Sequence, residues 1–154
     1  MRHALGLDLG TSGVKVVLLD ADGHLLGEAS EPLTVQRPRA GHSEQDPAQW
    51  LAAVDRAVAA LRSRASAAHW RSIGALGIAG QMHGAVLLDA AGRVLRPAIL
   101  WNDGRSQEQC AVLEAREPGT RVITGNRAMA GFTAPKLLWV AEHEPELFDR
   151  VARV

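Results

Sequence analysis

Leu5, Leu7 and Leu9 alternate with Gly6 and Asp8, the period of a β-strand with one apolar face. Val14 to Leu19 is nearly continuous in apolar residues, which predicts a second, more central strand. Gly10-Thr11-Ser12-Gly13 turns the chain between them. Asp20-Ala21-Asp22-Gly23, with Gly23 suited to positive φ, turns it again into a third strand, His24 to Leu33. Two short turns between three strands predict an antiparallel meander.

Thr34 to Asp46 reads as a surface loop, broken by Pro38 and Gly41. A helix follows: Asp46 suits the cap, Pro47 the first helical position, and Gln49 stands three after the cap. Leu51, Val54, Val58 and Leu61 fall on one helical face, and the pattern fades near Ser66. Ile73 to Ala79 predicts a fourth strand, and Gly80-Gln81-Met82-His83-Gly84 a tight connection. Val86 to Asp89 and Val94 to Leu100 predict a hairpin around Asp89-Ala90-Ala91-Gly92. Helical patterns run from Arg105 to Glu117 and, behind a Thr133 cap, from Ala134 to His143, with a short helix from Pro145. A meander, a βα unit and further helices make the expected class α/β with a mixed sheet. No linker divides the 154 residues, so one domain is expected.

Composition narrows the partners. Lys plus Arg and Asp plus Glu are 17 each, so no field of one sign draws nucleic acid or an anionic membrane. A small-molecule partner is expected. No stretch of about 18 apolar residues predicts a membrane span. Cys110 is the single cysteine and cannot form an internal disulfide, so a cytoplasmic location is expected. It stands among helix formers and reads as a packed thiol. None of the six histidines pairs with another at metal-ligand spacing.

The chemistry signal lies between the first two strands, in Asp8-Leu9-Gly10-Thr11-Ser12-Gly13-Val14-Lys15. Glycines let the backbone approach an anion, and the hydroxyls of Thr11 and Ser12 with the turn's N–H groups can line a phosphate. Lys15 returns a positive charge to the turn, and Asp8 is placed to hold a magnesium ion through water. Phosphoryl transfer asks for these parts. Turn composition alone fits a plain glycine hairpin too, with Asp8 a turn former and Lys15 a solvated strand residue. The segment is not a Walker loop, because no Gly-Lys-Ser/Thr closes it. Nor is it a dinucleotide fingerprint, because a strand follows where a helix should.

Asp-x-Gly-Thr-Ser-x-x-Lys between two apolar strands resembles the first phosphate motif of the actin, hexokinase and Hsp70 superfamily. The resemblance implies a ribonuclease-H-like lobe opening on three antiparallel strands. Three further segments narrow it: Ala79-Gly80-Gln81-Met82-His83-Gly84, Ile99 to Arg105 through Trp101-Asn102-Asp103-Gly104, and Gly131-Phe132-Thr133-Ala134-Pro135-Lys136-Leu137. With Ser43-Glu44-Gln45-Asp46-Pro47, they resemble the bacterial xylulokinases of the FGGY family of carbohydrate kinases, from about residue 4 to about residue 149. Glycerol kinases share the layout but carry an Arg-Glu pair in the turn filled here by Met82-His83.

That resemblance implies transfer of the γ-phosphoryl group of ATP, with Mg2+, to the 5-hydroxyl of D-xylulose in xylose metabolism. Met82 and His83 match family positions that contact the sugar; Trp101, Asp103 and Arg127 are further candidates. An imidazole both donates and accepts toward hydroxyls, and a methionine makes an adaptable apolar wall. The residues alone leave alternatives open: a satisfied turn histidine, a core methionine, a core-filling Trp101, an Asp103 that caps the next helix.

The resemblance also implies a truncated lobe. The family's general-base aspartate is expected beyond residue 154, as is the second, ATP-holding lobe, so Asp8 is expected to matter for activity while the chain alone does not catalyse. A missing strand would leave a sheet edge unpaired, and a homodimer or aggregation through that edge is expected. The competing reading is a non-enzymatic nucleotide-binding or interaction module of the actin or Hsp70 type, which has no use for Gln81-Met82-His83.

Overall fold

A computed structural model describes residues 3–154. In chain order the elements are β1 (His3–Leu9), β2 (Gly13–Leu19), β3 (Leu25–Pro32), β4 (Glu44–Gln45), α1 (Pro47–Arg64), α2 (Ala67–Arg71), β5 (Ile73–Gly80), β6 (Ala98–Ile99), α3 (Gln107–Arg116), α4 (Thr120–Thr124), α5 (Thr133–His143) and α6 (Pro145–Phe148). Their contacts group into two compact units. The first joins the described residues up to Thr34 with Ala48–Gln81; the second joins Val35–Pro47 with Met82–Val154.

The first unit is a four-stranded sheet in the order β3-β2-β1-β5. The meander forms as its turns dictate: β1 pairs antiparallel with β2, and β2 with β3. β5 returns through α1 and α2 to pair parallel with β1, which makes the sheet mixed. Cross-strand pairs Leu5–Leu18, Leu7–Val16 and Leu9–Val14 put these six apolar residues on one face. That face carries a core of Val14, Val16, Leu18 and Ala29 against Ala53, Ala57 and Leu61 of α1.

One expectation for this unit changes, and one element is added. Leu51 is 71% exposed and outside the core. The buried stripe of α1 runs through Ala53, Ala57 and Leu61, and at 100° per residue Leu51 is turned about 120° from it. α1 ends at Arg64, where its pattern fades, and an unanticipated short helix follows: the Ser66 side chain accepts from the His69 N–H and opens α2.

The second unit corrects more. Residues 34–46 are not all surface loop, because Ser43, Glu44 and Gln45 are buried and β4 pairs antiparallel with β6. The expected hairpin keeps only the Leu88–Val94 bridge. Its turn forms, with the Asp89 carboxylate accepting the N–H groups of Ala91 and Arg93 and Gly92 at φ 78°. Ala98 and Ile99 leave it to pair with Gln45 and Glu44. α4 was not anticipated; it stops at left-handed Gly125. Thr133 is not a cap but the first residue of α5, behind Phe132. Ala85, Leu87, Ile99 and Val140 form this unit's core.

Candidate functional site

The turn between β1 and β2 is shaped by close backbone approach. A Cβ on Gly13 would lie 2.8 Å from the Glu31 carbonyl oxygen, and one on Gly10 would lie 3.2 Å from the Gly13 oxygen. Neither position accepts a larger residue without moving a neighbouring strand or the turn. The Gly10 N–H donates to the Gly13 carbonyl, closing the turn. The Thr11 hydroxyl donates to the side-chain oxygen of Gln81 at 3.1 Å, and the Gln81 N–H donates to the Leu9 carbonyl. The turn is thus tied to the end of β5, the residue before Met82. Ser12 is exposed and its carbonyl accepts the Leu33 N–H.

Asp8 and Lys15 are cross-strand partners on the sheet face opposite α1. With Gly6, Val17, Gly77 and Ala79 they line an open trough of about 380 Å³. The Lys15 ammonium bonds Glu28 Oε2 at 2.7 Å, both side chains half-exposed. Such an exposed pair is worth about 0–1 kcal/mol and yields to a stronger anion. The Asp8 carboxylate is exposed and accepts no hydrogen bond among the described residues. Its donor atoms suit a hydrated divalent cation, which favours carboxylate oxygen.

In the second unit the Met82–His83 turn is held from below. Met82 is 68% exposed. His83 is exposed and stands at φ 60°, the one described non-glycine residue with positive φ. Its ring lies on Phe132, centroids 4.7 Å apart. Its carbonyl accepts from Lys136 Nζ at 2.6 Å and, at 3.4 Å, from the Thr133 hydroxyl.

Lys136 itself is fully buried in α5, and its ammonium also donates to the Gly131 carbonyl at 2.9 Å. Burial lowers its pKa to about 8, although the nearby Asp103 charge opposes the fall. Lys136 lies in the segment 131–137 that carries the family resemblance, but the pattern of the chain assigns it no role. The available signal was a lysine inside the apolar run of α5, where an unpartnered ammonium is not tolerated.

Trp101 is 48% exposed, and a Cβ on Gly131 would lie 2.6 Å from its carbonyl oxygen, so that backbone pair is in direct contact. Asp103 lies deeper. Its carboxylate accepts the Ser43 N–H at 2.6 Å and the Arg105 N–H at 2.9 Å, and pairs with the Arg105 guanidinium at 2.8–2.9 Å. Burial pushes the carboxyl upward, but these donors outweigh it and hold the group below the usual range. Arg105 also reaches Glu44 at 2.6 Å and stacks over Trp139 at 4.9 Å. Arg96 bridges Glu44 and Glu144. Both Asp103 oxygens are therefore occupied inside the protein. Glu44 and Arg105 were missed as supports, because only the β4–β6 pairing brings residue 44 beside residues 96 and 105. Arg127 lines a hollow with Cys110, Glu114, Arg121 and Met129, apart from the His83 and Trp101 contacts described above.

Residues 3–154 match the N-terminal domain of the FGGY family of carbohydrate kinases. The chain belongs to this family. It is 60% identical over 150 residues to the xylulose kinase of Escherichia coli strain K12, a match covering 97% of this chain and 30% of that protein. The crystal structure of a xyloylose kinase from Brucella ovis superposes with TM-score 0.94 at 52% identity, covering 99% of this chain and 32% of the other. That of the xylulose kinase from Rhodospirillum rubrum gives 0.92 at 35% identity, covering 98% and 31%. The FGGY chain described here therefore spans about three-tenths of the length of these relatives. Its mixed α/β architecture is that of the FGGY sugar kinases.

Proposed function

We propose that this FGGY chain is the sugar-facing and phosphate-facing part of a kinase that transfers the γ-phosphoryl group of ATP to the 5-hydroxyl of D-xylulose. The observation that carries the reading is the 60% identity to a protein named xylulose kinase, running along 97% of the chain and through the Met82–His83 turn. His83 offers the ketose a ring that both donates and accepts, and exposed Met82 and Trp101 offer apolar surface to its carbon chain.

Thr11, Ser12 and Lys15 receive phosphate oxygens; Lys15 exchanges its weak pair with Glu28 for them. Asp8 would hold a hydrated magnesium ion, which would supply charge neutralisation on the phosphates. Asp103 stays with Ser43 and Arg105 and supports the wall behind Trp101 instead of meeting the sugar. Three aspartates are engaged elsewhere and do not take the role of general base: Asp20 and Asp89 close turns and Asp103 is saturated. In this reading the chain alone binds the sugar without turning it over, in a cytoplasmic setting. Titration calorimetry of the chain with D-xylulose, ribulose and glycerol tests this. D-Xylulose is expected to bind best and His83→Ala to abolish it; equal or absent binding of all three rejects the assignment.

A further inference from the structure

A histidine with φ near +60° occupies a region that costs roughly 1–3 kcal/mol for residues other than glycine, so something must hold it there. Glycine adopts the same backbone freely, yet the turn carries a side chain. The carbonyl of this residue points at Lys136 Nζ, 2.6 Å away, and its ring rests on Phe132. Both contacts come from the stretch 131–136.

Lys136 is an unusual buried lysine. Its two direct partners are neutral carbonyl oxygens, those of His83 and Gly131, and no carboxylate is bonded to it. A cation buried for charge pairing would sit on an acid; this one grips backbone. Gly131 in turn is pressed against the Trp101 carbonyl. One ammonium thus joins the Met82–His83 turn to the segment that touches Trp101.

We infer that Lys136 is a positioning residue for the sugar pocket, fixing the left-handed His83 turn and the Gly131–Trp101 contact through its bonds to two carbonyl oxygens. The link to a sugar rests on the xylulose kinase reading above; the link to His83 geometry does not. When the held conformation falls to about a tenth of the population, apparent sugar affinity falls about tenfold.

The test compares Lys136→Met with the unmutated 154-residue chain. Histidine-ring proton–carbon spectra report on His83, with His24 of the first unit as internal control, and calorimetry reports D-xylulose affinity. Lys136→Met is expected to keep its circular dichroism, shift or broaden the His83 ring signal, leave His24 in place and bind D-xylulose about tenfold more weakly. A folded Lys136→Met with an unmoved His83 signal overturns the inference. If that variant does not fold, the unmutated chain decides: a slowly exchanging Lys136 ammonium signal coupled through the hydrogen bond to the His83 carbonyl carbon is expected, and its absence overturns the inference. Should the unmutated chain bind no D-xylulose, the xylulose kinase reading fails, while the His83 signal still decides the role of Lys136.

Discussion

The charged side chains of the second unit do unequal work. Arg105 is 2% exposed and lies between two buried carboxylates, Glu44 and Asp103. Burial disfavours its charge, but the Asp103 and Glu44 partners outweigh that and raise its pKa. Removing one member of a buried ion set leaves the others uncompensated, at a cost of about 3–5 kcal/mol. Arg105→Met is therefore expected to destabilise the second unit by that order, read as a lowered urea midpoint by tryptophan fluorescence. Lys does not substitute well here, because the guanidinium bonds Asp103 through two nitrogens while lying over Trp139. Asp103, which the chain's pattern offered for substrate, is bonded here to Ser43 and Arg105. Asp103 was visible as a carboxylate beside an arginine, but its partner Ser43 and the Glu44 that shares Arg105 lie about sixty residues earlier. Their meeting was not legible. Asp8, Thr11 and Lys15 stand where the local turn put them.

Elements follow their local patterns where the pattern is long. β1, β2, β3 and β5 form within a residue or two of expectation, as do α1, α3 and α5. The short elements do not announce themselves: β4 and β6 are two residues each and exist only as each other's partner. Turn chemistry was decisive where a specific residue was required. Gly23 and Gly92 stand at positive φ as their turns demand. Gly13 is different, since its backbone is pressed on β3 and a Cβ would meet the Glu31 oxygen at 2.8 Å. Gly13→Ala is expected to cost about 1–3 kcal/mol by forcing β2 from β3. Thermal unfolding measures that cost, and amide exchange should loosen at Leu33, whose N–H bonds the turn. A stability within about 0.5 kcal/mol of the unmutated chain would argue that the turn adjusts freely.

The four-stranded sheet ends in two edge strands, β3 and β5, and β5 is the more exposed. β5 ends the strand order and is exposed along nearly its whole length, with Leu76 at 57% and Ile78 at 73%. An apolar edge with unpaired backbone groups recruits another strand. The 154-residue chain is expected to self-associate through β5, seen as a concentration-dependent sedimentation coefficient. Ile78→Lys, a charge on that edge, is expected to return it to monomer. A chain that sediments as a monomer at every concentration would remove the homodimer proposal.

Local chemistry was readable in order along the chain: the alternation of Leu5, Leu7 and Leu9, the glycine turn with its hydroxyls, the Asp46-Pro47 helix start, the Met82–His83 connection. Each depends on neighbours a few residues away, and periodicity and turn preference act over that range. The parallel return of β5 to β1, the burial of residues 43–45, the saturation of Asp103 and the grip of Lys136 on His83 depend on residues 50 to 70 apart. Those contacts are selected by packing and by the need to satisfy every buried charge and carbonyl. Such requirements arise only once the chain has closed on itself.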